Sequence, residues 1–175
     1  MAVDKSLTFT PINIALLTVS DTRTAADDTS GDILAERIAG AGHMLAARMI
    51  VQDDAATLAA QLRVWTGDKA IDAIITTGGT GLTGRDVTPE AFGMIKDKDI
   101  PGFGELFRWI SYGTIGTSTI QSRACAVIAN GTYVFGLPGS NGAVKDGWDS
   151  ILSEQLDSRN RPCNFVELMP RLNEK

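Results

Sequence analysis

Residues 72–89 read Asp-Ala-Ile-Ile-Thr-Thr-Gly-Gly-Thr-Gly-Leu-Thr-Gly-Arg-Asp-Val-Thr-Pro, and that order of residue types leaves few folds open. An apolar run, a cluster of glycines at Gly78, Gly79 and Gly81, and the helix start Thr88-Pro89-Glu90 predict strand, loop and helix in succession. Thr88 is the expected cap and Pro89 suits the first helical position. A strand whose apolar residues run consecutively needs cover on both faces, which is the condition of a parallel sheet flanked by helices.

The rest of the chain repeats that unit. Residues 12–19 form another nearly continuous apolar run, ending in the polar set Ser20-Asp21-Thr22-Arg23. A helix starts at Ser30-Gly31-Asp32, shows a stripe of Ile33, Leu34, Ile38 and Ala41, and stops at Gly40 and Gly42. Residues 44–51 read as a more polar strand nearer the sheet edge. Asp54 then caps a helix over 55–65, in which Leu58, Leu62 and Trp65 share a face. Beyond Pro89, Phe92 and Ile95 mark one helix. A second, after Pro101-Gly102, carries Phe103, Leu106, Phe107, Trp109 and Ile110, which read equally as core or as subunit contact.

Strands 125–129 and 132–137 flank Asn130-Gly131, a hairpin signal that sets one strand antiparallel to the others. A last helix is expected over 143–156. The expected fold is α/β: a three-layer α/β/α sandwich with a mostly parallel sheet and one antiparallel strand. Residues 1–11 read as a flexible N-terminal arm and 12–175 as a single domain.

Composition removes several function classes. A net charge of -5 argues against a chain whose task is to grip nucleic acid. Two cysteines are too few for a disulfide framework, no apolar run is long enough to span a membrane, and residues 1–11 lack a signal-peptide core, so a cytoplasmic protein is expected. The single histidine, His43, excludes a multi-histidine zinc site and reads as a turn residue. Any metal is then a hard cation held by carboxylates and phosphate oxygens.

Gly78-Gly79-Thr80-Gly81 follows a buried strand, where backbone N–H groups can approach an anion, yet its spacing fits neither a Walker A loop nor a dinucleotide fingerprint. Asp86 lies beyond this loop, and Asp53 lies at the carboxyl end of the preceding strand. In a parallel sheet the two open on one edge, where a divalent cation would reconcile acids with a phosphate cradle. The same residues also read more plainly, with Asp53 and Asp54 as loop and cap residues and Asp86 paired with Arg85. A further loop, Leu137-Pro138-Gly139-Ser140-Asn141-Gly142, joins Ser122 as a source of donors for a heterocycle or a second phosphate.

Taken together, these pieces resemble the molybdenum cofactor biosynthesis protein B family and its relatives, the molybdopterin adenylyltransferases. The resemblance runs over residues 12–165. It is carried by Leu17-Thr18-Val19-Ser20-Asp21, Asp27-Asp28-Thr29-Ser30-Gly31, Thr77-Gly78-Gly79-Thr80-Gly81, Asp86-Val87-Thr88-Pro89-Glu90, Pro101-Gly102-Phe103-Gly104-Glu105, Gly116-Thr117-Ser118, Gln121-Ser122-Arg123 and Leu137-Pro138-Gly139-Ser140. Arg161-Pro162-Cys163-Asn164-Phe165 is similar to the protein B branch.

The resemblance implies a molybdopterin-binding α/β domain that assembles as a homotrimer or a hexamer. It also implies Mg2+-dependent transfer of AMP from ATP to the phosphate of molybdopterin, releasing pyrophosphate, with hand-over to a molybdate-inserting enzyme. By position, Asp53 and Asp86 would serve in catalysis and metal binding. Ser20, Asp21, Gly78, Gly79, Thr80 and Gly81 would bind the nucleotide, and Ser122, Pro138, Gly139 and Ser140 the pterin. Adenylyltransferases of this kind commonly carry Pro-Gly-Asn-Pro where this chain has Pro138-Gly139-Ser140-Asn141. That departure motivates the alternative, a non-catalytic pterin-binding or scaffold oligomer in cofactor assembly.

Overall fold

Consecutive apolar residues produce buried central strands, and the computed structural model, which describes residues 3–174, shows how all the strands are ordered. The strands are β1 (Asn13–Val19), β2 (Met44–Val51), β3 (Ala73–Thr77), β4 (Lys98–Asp99), β5 (Cys125–Ala129) and β6 (Thr132–Leu137). They form one six-stranded sheet in the order β2-β1-β3-β6-β5-β4. β1 pairs in parallel with both β2 and β3, and β3 with β6, while β5 runs antiparallel to both of its neighbours. The expected sheet with one antiparallel strand is therefore what forms. The two-residue edge strand β4 carried no sequence signal, because its pairing partner is distant in the chain.

Alternation along the strands divides the core into two layers. Ile14 and Leu16 of β1, Ala73 and Ile75 of β3, and Tyr133 and Phe135 of β6 face one layer. Helices α1 (Thr29–Gly40), α4 (Pro101–Ile115) and α5 (Asn141–Gly147) cover it with Leu34 and Ile38, Phe103 and Phe107, and Val144. Ala15, Leu17, Ile74 and Val134 face the other, where α2 (Ala55–Gly67) contributes Leu58, Leu62 and Trp65 and α3 (Thr88–Gly93) contributes Phe92. Helices on both faces of a parallel sheet complete the three layers. At ~25 cal/mol per Å2, burial of this apolar surface is the main stabilising term.

Local signals set the element ends. Asn130 (φ 49°) and Gly131 (φ 77°) make the β5–β6 turn, which needs left-handed backbone. Asp28 caps α1 by accepting from the Gly31 N–H, and Asp54 caps α2 by accepting from Thr57 at 2.7 Å. α5 starts earlier than expected, at Asn141, because Ser140 caps it. The helix continues through a π turn over Trp148–Leu152.

The structure sharpens four local readings. The helix from Thr88 lacks a side-chain cap, because the Thr88 hydroxyl donates inward to Gly78 O at 2.8 Å. His43 lies just after the turn that ends α1, and it is buried there: its Nδ1 accepts from the Ile12 N–H at 3.3 Å and its ring lies 5.2 Å from Phe9. Where described, the expected flexible arm lies against the body, with Asp4 N donating to Arg159 O at 3.0 Å and Thr10 N to Ser158 Oγ at 2.8 Å. Met1 and Ala2 of that arm lie outside the described residues. The aromatic segment divides: Phe103 and Phe107 are core, whereas Trp109 is 76% exposed.

Candidate functional site

Sheet order places the site. β1 leads through α1 to β2 on one side, and the chain then returns through α2 to β3 on the other side of β1. The loops after β1 and β3 therefore diverge at their carboxyl ends, the position where open α/β sheets bind ligands. Ser20 and Asp21 lie in one loop and Gly78 to Gly81 in the other.

The glycine loop is held closely against its neighbours. Gly78 has φ 106°, and a Cβ there would stand 2.3 Å from Val19 O, so only glycine fits. Gly78 N donates to Leu137 O at 2.9 Å, and Thr88 N to Gly79 O at 2.9 Å. The N–H groups of Gly79 and Thr80 have no backbone acceptor among the described residues. A Cβ at Gly81 would lie 2.7 Å from Asp86 Oδ2, so the absence of a side chain there admits the carboxylate to the loop.

Asp86 and Asp53 approach the loop from different elements. The Thr83 hydroxyl donates to Asp86 Oδ2 at 2.7 Å, and the Thr83 N–H donates at 2.9 Å. Burial acts to raise the Asp86 pKa, but these bonds, another from the Gly81 N–H and the charge of Arg123 hold it below the ordinary value. Asp53 Oδ1 stands 3.6 Å from the Cβ position of Gly79. Its pKa is raised, first by burial and then by the negative charge of Asp86.

Asp54, in contrast, points away as the α2 cap, which separates two acids that are adjacent in sequence. Asp21 and Asp53 exchange N–H to carboxylate bonds of 3.0 Å each, and Arg85 pairs with Asp21. The simpler pairing of Asp86 with Arg85 is therefore not what forms.

On the other flank, a cleft of about 210 Å3 brings Thr80, Gly81, Ser122, Pro138 and Ser140 together with Phe107. Gly139 backs onto the glycine loop, where its Cβ position lies 3.3 Å from Gly78 Cα. Ser20 and Asp21 stand apart from that cleft, on the Asp53 side. The Ser20 hydroxyl accepts from the N–H groups of Thr22 and Arg23 at 3.2 and 3.1 Å. Ser140 Oγ accepts from Ala143 N at 3.2 Å, so it caps α5 while facing the cleft.

Sequence reasoning missed the residues that hold these loops in register. Arg123 donates from Nε to Gly81 O at 2.7 Å and from Nη2 to Asp86 O at 2.6 Å, and pairs with Glu90. Arg23 donates to Gly139 O at 2.9 Å and pairs with Ser30. Asp28 is fully buried and receives Thr18 Oγ1 at 2.8 Å and Arg48 Nη2 at 2.9 Å. The only advance signal was that Asp28 and Arg123 fall within motifs of the resemblance.

Comparison with known proteins gives the family and the fold. Residues 15–158 match the family model described as a probable molybdopterin binding domain. The chain is 45% identical over 160 residues to molybdenum cofactor biosynthesis protein B of Escherichia coli (strain K12), covering 91% of this chain and 94% of that protein. It is 41% identical over 146 residues to the protein of that name in Bacillus subtilis (strain 168), covering 83% and 86%. A crystal structure of molybdenum cofactor biosynthesis protein B superimposes with TM-score 0.84 at 35% identity, covering 95% and 98% of the two chains. The tungsten cofactor synthesizing protein MoaB from Pyrococcus furiosus gives TM-score 0.77 at 32% identity, covering 94% and 98%.

Proposed function

The chain belongs to the molybdenum cofactor biosynthesis protein B family, and from that premise we propose that it transfers AMP from ATP to the phosphate of molybdopterin. The observation that carries the reading is the pair Asp53 and Asp86, set on either side of one glycine loop with the charge of one raising the pKa of the other. A role in molybdenum cofactor biosynthesis follows from the family itself.

The donor set fits Mg2+. Two carboxylates come from separate loops, and among the described residues no third His, Cys, Asp or Glu joins them, which leaves the other coordination positions to substrate oxygens. Asp53 and Asp86 would hold the ion, which when bound offsets negative charge on the phosphates.

The rest of the chemistry belongs to the chain. The Gly79 and Thr80 N–H groups receive phosphate oxygens of ATP, with Ser20 and Asp21 at the nucleotide side. Ser122 and the Pro138–Ser140 loop orient the pterin across the cleft beside Phe107. A phosphate oxygen of molybdopterin forms the new bond to the α-phosphorus, and the bond to the β-phosphate breaks with its electron pair leaving on pyrophosphate. The nucleophile is already an anion, so no general base is required and His43 can stay buried elsewhere. Positioning and electrostatics do the work.

The adenylylated pterin would pass to a molybdate-inserting enzyme in the cytoplasm. The homotrimer or hexamer would form over the outer side of α4, where Leu106, Trp109, Tyr112 and Ile115 are exposed, as is Ile120 just beyond the helix. Light scattering coupled to size exclusion checks the assembly: three or six copies are expected, and a monomer contradicts it.

The test of activity is pyrophosphate release by purified protein. Release is expected only when molybdopterin and MgATP are both present. Pterin binding with no ATP consumed would overturn the transferase reading in favour of a scaffold, and nucleotide hydrolysis without pterin would make the protein a phosphohydrolase.

A further inference from the structure

Three arginines stand around the glycine loop, and they differ in how they are held. Arg123 is spent on two carbonyls and on Glu90, and Arg23 on Gly139 O, Ser30 and Asp28. Either would have to break the packing of its loop to reach a ligand. Arg85 has one partner among the described residues, Asp21, and its side chain is 66% exposed.

The position of the Arg85 head follows from Asp21. One Asp21 oxygen takes Arg85 while the other accepts the Asp53 N–H, and Asp53 Oδ2 accepts the Asp21 N–H. Asp53 Oδ1 lies 3.6 Å from the Cβ position of Gly79. The guanidinium thus rests beside the acids at the rim of the glycine loop. Its own backbone is fixed at the next residue, because Asp86 N donates to Thr83 O at 3.0 Å and the Asp86 carboxylate is bonded to Thr83. The backbone is anchored, the side chain is solvated, and its single bond is one that solvent weakens.

We propose that Arg85 contacts substrate, leaving Asp21 to take the outer phosphates of a nucleoside triphosphate and then the departing pyrophosphate. This rests on the reading above, in which the triphosphate lies along the glycine loop. Exchanging a carboxylate for a phosphate keeps the number of charge-assisted hydrogen bonds, and the planar guanidinium matches two phosphate oxygens at once. As the bond between the α-phosphorus and the bridging oxygen breaks, negative charge gathers on the leaving group. Arg85 is the one arginine of this loop free to follow it.

The experiment is titration calorimetry of wild type, Arg85→Ala and Arg85→Lys with MgATP and with AMP, which lacks the outer phosphates. Arg85→Ala is expected to weaken MgATP by about ten- to a hundredfold and AMP by less than about twofold. Arg85→Lys should recover part of the loss, since a point charge replaces a fork. Equal weakening of MgATP and AMP by Arg85→Ala, or none, overturns the proposal. A wild type that binds neither ligand overturns the nucleotide site itself as well, a result distinct from an unchanged preference for ATP.

Discussion

Asp28 and Asp53 lie at opposite sides of the β1 and β2 carboxyl ends, and their surroundings treat them in opposite ways. Asp28 is fully buried, which by itself would raise its pKa, yet bonds from Arg48, Thr18 and the Gly31 N–H bring the net shift below the ordinary value. Asp53 is half-buried, receives a backbone N–H, and has a raised pKa from burial and from the charge of Asp86. Protein groups complete the first acid, whereas the second keeps an uncompensated negative potential facing the glycine loop. A carboxylate satisfied by the chain holds structure together, and one left wanting a cation marks where a cation and an anion can meet.

The largest expected effect breaks the first member of this pair. Asp28→Ala leaves Arg48 and Arg23 without their shared partner, and should lower unfolding free energy by about 3–5 kcal/mol in denaturant titration. A loss near zero would place Asp28 among ordinary surface acids. Asp53→Asn should do the reverse: turnover falls about a hundredfold or more, as expected when a metal ligand rather than its outer shell is changed, while stability at neutral pH holds or rises slightly. Pyrophosphate release and a melting curve on one preparation check both halves. Asp86→Asn should lower turnover similarly and, by removing the like charge, bring the Asp53 pKa down, which an NMR titration of the carboxyl carbons reads.

The pH dependence sharpens the contrast. The folded-state pKa of Asp28 lies below its unfolded value, so its stabilisation is present above the unfolded pKa and is lost as pH falls through the folded one. The folded-state pKa of Asp53 lies above its unfolded value, so its ionised form costs stability above the folded pKa and that cost disappears as pH falls. Acid melting curves should accordingly show less loss of stability at low pH in Asp28→Asn and a relative gain near neutrality in Asp53→Asn. The smallest effect belongs to an ion pair outside this system: Arg37→Ala removes the exposed contact to Asp149 (2.8 Å) and should cost about 0–1 kcal/mol.

How much of this was legible in the sequence depends on range. β2, β5 and β6, the Asn130-Gly131 turn and the glycine loop were readable because periodicity and turn chemistry are local. The approach of Asp53 and Asp86 was inferred from strand topology and the resemblance. The cap at Asp54 was legible too, as an acid directly before a helical stripe, and its bond to Thr57 is what sets Asp54 apart from Asp53. The braces were hidden. Arg23 reaches Gly139, Arg123 reaches Gly81 and Arg48 reaches Asp28 across the folded chain, and a lone arginine in a loop gives no hint of its partner. Burial of His43 depends on Phe9 and Trp148 meeting from opposite ends of the sequence, so a turn was the natural local reading.

The most direct measurement is the melting temperature of wild type and Asp53→Asn as Mg2+ is added at fixed ATP concentration. A bound ligand stabilises only the state that binds it. The wild type should rise with Mg2+ and Asp53→Asn should stay flat, with Asp28→Asn starting lower and rising in parallel with the wild type. An equal rise in wild type and Asp53→Asn would contradict the assignment of Asp53 to the cation.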